Sequence, residues 1–256
     1  MLDWTWEPDD FAALWLNDGR DRIPRPLSFT SRFRYREEAE AHAHTVRKRY
    51  DHRDRHEIER ALDVLSTGTI RIEVFGDTHA PPRTQSVEYR VLGACTNLHA
   101  VIATQHTNHG GTAHIAIRRG SPDRLGAGIT AALPRLDAGC EPKAVFDRRD
   151  LAGTGSYLND VAHNGPRDRY QRTTRRPLSG SGCAAIYVGS RSGSEPIEVL
   201  EWLDYADDGR YIQQRTTEQI RIEPAGPAAI ADRIARMITR GRDLHLTHSA
   251  GNLYRH

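Results

Sequence analysis

Lysine is almost missing. Lys48 and Lys143 are the only two in the chain, so nearly all of the positive charge is arginine, and the 36 basic residues are set against 34 acidic ones. This usage points to a genome rich in G and C and does not by itself call for an anionic ligand. The net charge of +2 comes from acids and bases that are interspersed. A segregated basic face, the usual footprint of a nucleic-acid binder, is absent. Cysteine is scarce too. Cys95, Cys140 and Cys183 make an odd count with no close pair, which argues against a disulfide framework or a zinc ribbon. No run of about 18 apolar residues exists, so no helix is expected to span a membrane. The opening "MLDWTWEPDD" is acidic and lacks a basic-then-apolar signal pattern, so the expected location is cytoplasmic.

What remains is a 256-residue, 28.8 kDa chain with 38% apolar residues and a mean hydropathy of −0.66. It is long enough for one large domain or two small ones. One phrase occurs twice. "HIAIRRGSPDRLGAGITAAL" fills 114–133, and "QIRIEPAGPAAIADRIARMI" fills 219–238. Without gaps, Ile115 falls on Ile220, Ile117 on Ile222, Pro122 on Pro227 and Ile129 on Ile234; Leu125 and Leu133 fall on Ile230 and Ile238. Ile-x-Ile alternates as a half-buried strand does. Ser121-Pro122 and Gly226-Pro227 each read as an N-cap with Pro at the first helical position. Apolar residues then recur at spacings of four, giving a stripe on each helix.

Each copy follows three other strand-like segments. "TIRIEVFGD", "SVEYRVLGAC" and "LHAVIATQHT" precede the first, with Asn108-His109-Gly110-Gly111 as a hairpin turn before it. "CAAIYVGSR", "PIEVLEWLDYA" and "RYIQQRTT" precede the second, with a tight turn at Asp208-Gly209. A duplicated β-β-β-β-α unit is therefore expected. Upstream, Trp4 and Trp6 suggest a short strand, "EPDDFAALWLNDG" and "REEAEAHAHTVRKRY" suggest helices, and an Asp54–Glu57 capping box is expected to open the helix "IERALDVLS". The expected divisions are an N-terminal half over 1–136, a connector with short helices such as "SYLNDVAH" over 137–182, a C-terminal half over 183–240, and a mobile tail over 241–256.

Chemistry is harder to find. His52 and His56 are spaced H-x-x-x-H-E rather than H-E-x-x-H, and the expected cap leaves His52 outside the helix. His42 and His44 read as solvated. No metal and no cofactor are expected at these positions. "GSRSG" at 189–193 fails as a nucleophile elbow because Arg191 holds the central position. Asp204, Asp207 and Asp208 cluster around a turn that already explains them. No nucleophile, base and stabiliser assemble, so no catalytic residue is assigned.

The sequence resembles the EspG family of ESX (type VII) secretion-associated proteins of actinobacteria. The matching features are the "FAALWL" helix followed by "PRPL", a charged helix ending in "RALDVL", and the strand-rich blocks. Trp202, Asp204, Gly209, Arg210 and Tyr211 match the family's second-half pattern, and the closing "IRIEPAGPAAIADRIARMI" matches in style. The resemblance spans roughly 2–240. It implies an α+β fold of two pseudo-twofold-related halves, each an antiparallel β-sheet plus helix. It also implies a cytosolic chaperone, not an enzyme and without cofactor. Such a chaperone would bind the helical tip of the PPE protein in a PE–PPE heterodimer, keep it soluble and support its secretion. Nucleic-acid binding and membrane insertion are not implied; a homodimer stays open. The alternative is an α+β small-molecule-binding or hydrolytic enzyme with an internal pocket.

The hairpin around Asp208-Gly209 offers a face for such a partner. If Tyr205 pairs with Tyr211, then Leu203 faces Gln213 and Glu201 faces Arg215. Trp202 and Ile212 then lie on the other side, towards helices. The expected partner-binding residues are Glu201, Leu203, Tyr205, Tyr211, Gln213 and Arg215.

Overall fold

The structure is a computed structural model that describes residues 3–80, 85–107, 113–152, 165–189 and 195–253. The chain begins with strand β1 (Asp3–Trp6), helix α1 (Pro8–Trp15), helix α2 (Arg36–Lys48) and helix α3 (His52–Thr67). Four strands follow: β2 (Ile70–Ala80), β3 (Gln85–Cys95), β4 (Ala100–His106) and β5 (Ile115–Gly120). A 3-10 turn, Pro122–Arg124, leads into helix α4 (Leu125–Ala131). Next come β6 (Ala144–Asp147), α5 (Arg148–Ala152) and α6 (Pro166–Thr174). The second run of strands is β7 (Leu178–Val188), β8 (Glu198–Tyr205), β9 (Arg210–Arg215) and β10 (Gln219–Pro224), closed by helix α7 (Pro227–Leu253).

All eight expected strands of the repeat form, and the fold is α+β. The halves do not build separate sheets, however. The strands make one antiparallel sheet in the order β1-β5-β4-β3-β2-β7-β8-β9-β10-β6. The order runs β2, β3, β4, β5 outward from one side of the β2–β7 junction and β7, β8, β9, β10 from the other. β1 adds to β5 at one edge and β6 adds to β10 at the other.

One face carries α4 and α7, which pack on each other and on the central strands. Leu125, Ile129 and Leu133 share one core cluster with their repeat partners Ile230, Ile234 and Ile238, together with Ile72, Val74, Ile186 and Trp202. Gly126 lets the helices touch, since a Cβ there would stand 3.3 Å from the Ala235 backbone. On the sheet itself, Gly76 pairs with Gly182 across β2 and β7. Their missing side chains leave room for Tyr89 and Trp202, whose indole Nε1 donates to the Tyr89 hydroxyl at 3.1 Å.

The opposite face carries two separate cores. At one end Phe11 and Trp15 of α1 and Ile58, Leu62 and Leu65 of α3 cover Ile115 and Ile117. At the other, Leu151 of α5 and Tyr170 of α6 pack with Ile220, Ile222, Phe146, Tyr205 and Tyr211. The repeated isoleucines thus point away from the helices that follow them.

Several boundaries differ from the sequence reading. α3 begins at His52, because the Asp51 side chain accepts from Asp54 N at 2.8 Å and caps the helix three residues before the expected box. β6, α5 and α6 make part of the connector an edge strand and a helical cover. α7 runs through Gly241 to Leu253, where a tail was expected. A Cβ on Gly241 would lie 3.2–3.5 Å from Ile70, Ile186 and Ile197, so this glycine marks close helix–sheet approach. His42 is not solvated: its Nε2 lies 2.7 Å from Asp10, which also pairs with Arg49 at 2.7 Å. "SYLNDVAH", most of "GSRSG" and the 108–111 turn lie outside the described residues.

Candidate partner-binding face

Between the two cores of the second face lies a strip of β2, β7 and β8 that those clusters leave open. Alternation along each strand decides what points there. Val74, Ala184 and Leu200 enter the α4/α7 cluster, so Phe75, Cys183 and Val199 face the strip. Phe75 is 42% exposed and Val199 46%. In register across the strands run Arg90, Phe75, Cys183, Glu201 and Gln213. The Arg90 guanidinium sits 5.0 Å from the Phe75 ring centroid. Two rows along the same face, Arg71 stacks 4.7 Å over Tyr187 and pairs with Glu73 at 2.9 Å. The strip is therefore an apolar floor with paired charges at its margins.

The expected residues divide over this face. The β8–β9 register is Glu201–Gln213, Trp202–Ile212, Leu203–Tyr211 and Asp204–Arg210, two residues from the expected pairing. A shift of two preserves the faces. Glu201, Leu203, Tyr205, Tyr211, Gln213 and Arg215 thus share a face, and Trp202 and Ile212 join the α4/α7 core. Burial separates them. Tyr205 and Tyr211 lie under α5 and α6, and Gln213 is also buried, whereas Glu201 and Leu203 are half-buried and Arg215 is exposed, 3.7 Å from Glu201. The hairpin tyrosines are core rather than surface because the helices after β6 cover them. Phe75 and Val199 were missed, although a signal existed. Phe75 is an apolar residue on a side of β2 otherwise held by Arg71, Glu73 and Asp77, and Val199 begins the same side of β8 that carries Glu201 and Leu203.

The turn itself is a tied structure. The buried Arg210 grips Asp204 and donates to Pro134 O at 3.1 Å. The Tyr211 hydroxyl donates to Asp208 at 2.5 Å and accepts from Glu141 N at 2.8 Å. A Cβ on Gly139 would collide with the Tyr211 ring, and one on Gly209 would meet Asp137 O at 2.7 Å. Asp204, Gly209, Arg210 and Tyr211 thus lock the hairpin to the 137–141 segment, while Trp202 fills the α4/α7 core beside Arg210. They shape the strip's flank and do not line it.

Nothing here resembles an activated nucleophile. Burial, and then the charge of Glu201, push the Cys183 thiol above its ordinary value, the opposite of what a reactive thiolate needs. Burial likewise raises Cys95. Among the described residues no group of three or more His, Cys, Asp or Glu is arranged to hold a metal, and no helix is long and apolar enough to cross a membrane.

The family model described as EspG family matches residues 7–236, which takes in strands β2 to β10, helices α1 to α6 with the start of α7, and the tied hairpin. The chain belongs to the EspG family. Family membership places it among ESX-associated secretion chaperones. No curated protein matches it. In this EspG-family chain the second-half Trp-Asp-Gly-Arg-Tyr pattern has a structural role.

Proposed function

We propose that this EspG-family protein is a cytoplasmic adaptor that binds the PPE protein of a PE–PPE heterodimer, keeps it soluble and supports its delivery to a type VII (ESX) secretion machine. The observation that carries the reading is the open strip, where Phe75 and Val199 stand exposed between two covered ends of one sheet. A half-apolar sheet face with charged margins suits a helical partner with an apolar stripe. Leu203, Glu201 and Arg215 extend the strip towards the hairpin. Tyr205, Tyr211 and Gln213 support it from within.

The test is co-expression with a PE–PPE pair from the same genome. Phe75→Asp, Val199→Asp and Leu203→Asp should leave the fold intact and abolish co-purification. Val199→Asp and Phe75→Asp proteins that fold and still bind would show that the partner uses another surface.

A further inference from the structure

We propose that the groove between α6 and the outer edge of β6 is a docking site for an extended peptide of alternating acidic and apolar side chains, added to the sheet as a further strand. The groove has a volume of about 520 Å³. Its lining sets Lys143, Arg169, Arg172 and Arg176 against one acid, Glu141. The three arginines recur at spacings of three and four, so they share one face of α6. Between Pro166 and Arg176 five arginines stand against the single acid Asp168. Arg176 is committed to Asp208 at 2.9 Å and Asp207 at 3.1 Å, and Lys143 shares Glu223 at 3.5 Å, whereas Arg169 and Arg172 are exposed.

The opposite wall is a strand edge. β6 is last in the sheet and, among the described strands, pairs only with β10. Arg148 N donates to Glu218 O at 2.7 Å, so in the antiparallel register Ala144 and Phe146 turn their backbone groups to β10, and Val145 and Asp147 turn theirs outward. Side chains alternate between the two faces. Phe146 enters the core with Leu151 and Tyr170, and Val145, 45% exposed, stands on the other face. A strand added along Val145 sets one half of its side chains beside the arginines of α6 and the other half beside Val145. Acidic residues suit the first set and apolar residues the second.

Edge strands are commonly guarded by charges of their own. β6 begins Ala144-Val145-Phe146 and has only Asp147 at its end, while the row of charge lies across the groove on α6. A second copy of this chain would bring the same arginines to the edge, and like charges oppose that pairing. A nucleic acid would meet the guanidinium groups, but the two aromatic side chains in the lining, Phe146 and Tyr211, are buried and offer its bases no stacking face. An acidic peptide is therefore the occupant. β6 and the strip's β2, β7 and β8 are different strands, so neither proposal rests on the other.

Fluorescence anisotropy of the full chain with a labelled synthetic Glu-Val repeat peptide tests this. The wild type should bind it saturably, and added salt should weaken the binding. A Lys-Val repeat should not bind. A peptide of the same composition with its glutamates in one block cannot turn them all to one face of a strand, and should bind more weakly. Arg169→Glu with Arg172→Glu reverses exposed charges and should weaken binding about tenfold or more at an unchanged melting temperature. If the double variant melts lower, Arg169→Glu alone is read in the same way. Val145→Pro removes an outward N–H and leaves the β10 ladder whole, a change that edge strands tolerate, and should also weaken binding. If that variant melts lower, a Glu-Val repeat methylated on its backbone nitrogens should fail to bind the wild type. A wild type that does not bind the Glu-Val repeat saturably overturns the proposal. So does equal affinity for the block peptide, or binding unmoved by the arginine reversal or by backbone methylation. Tighter binding of a single-stranded oligonucleotide, lost on the same reversal, overturns it as well.

Discussion

Arg210 holds Asp204 by two hydrogen bonds, from its Nε to Oδ1 at 2.7 Å and from its terminal nitrogen to Oδ2 at 2.8 Å, with both side chains about 2% exposed. Such a pair is asymmetric in its energetics. Removing one partner strands a buried charge, whereas replacing both with apolar groups of similar volume is often neutral. Arg210→Met should therefore cost about 3–5 kcal/mol in urea denaturation, and Arg210→Met with Asp204→Leu clearly less. A single substitution that costs under about 1 kcal/mol would show that the pair does not hold the hairpin.

Asp208 makes the same hairpin sensitive to acid. The Tyr211 hydroxyl, then Cys140 N and the Arg176 guanidinium, hold its carboxyl at about 2, below its ordinary value. The unfolded chain thus takes up this proton first. Its contribution to stability is present above pH about 4 and is lost as pH falls through the folded value near 2. Urea midpoints of wild type and Asp208→Asn should differ most above pH about 4 and converge towards pH about 2. A gap that stays constant over that range would assign the effect to packing.

Burial should separate stability from binding along one face. Tyr211→Ala removes a buried aromatic, and Trp202→Ala another, so each should cost about 3 kcal/mol or more. Val199→Ala and Phe75→Ala alter exposed side chains and should stay within about 0.5 kcal/mol. Thermal melts of the four variants give the ranking. A stable Tyr211→Ala would mean that α5 and α6 do not cover the hairpin.

Gly182 should not tolerate a methyl group. A Cβ there would stand 2.5 Å from both the Trp202 ring and the Tyr89 hydroxyl. Gly182→Ala should lose about 1–3 kcal/mol by overpacking, and Trp202→Phe in the same chain should return part of it. Full additivity of the two changes in a double-mutant cycle would break the link.

Strands were legible because alternation is a local property. Ile70, Ile72 and Val74 announce β2, and Ile220 and Ile222 announce β10, whatever lies beside them. The sequence also placed Trp202 and Ile212 correctly by parity. It did not show that the two halves merge, since nothing local in β2 says that its neighbour is β7. Nor did it show the cover over Tyr205 and Tyr211. That cover comes from Leu151 and Tyr170 on short helices with weak apolar patterns, and the tyrosines look as suited to a surface as to a core. Asp51, not Asp54, is the cap of α3; both are good N-cap residues and only the geometry chooses between them.

The β2–β7 junction also sets an order of events during synthesis. β2 ends at Ala80, and its partner begins at Leu178. When the first four strands of the repeat have left the ribosome, β5 already has β1 at its outer side, but β2, paired with β3 along one edge, waits with its other edge open for β7. An open strand edge carrying Ile70, Ile72 and Val74 is a template for pairing with any other nascent chain. The protein that would shield others from aggregation thus passes through an interval in which its own central strand needs shielding, and slowing translation between residues 80 and 178 should lower its soluble yield.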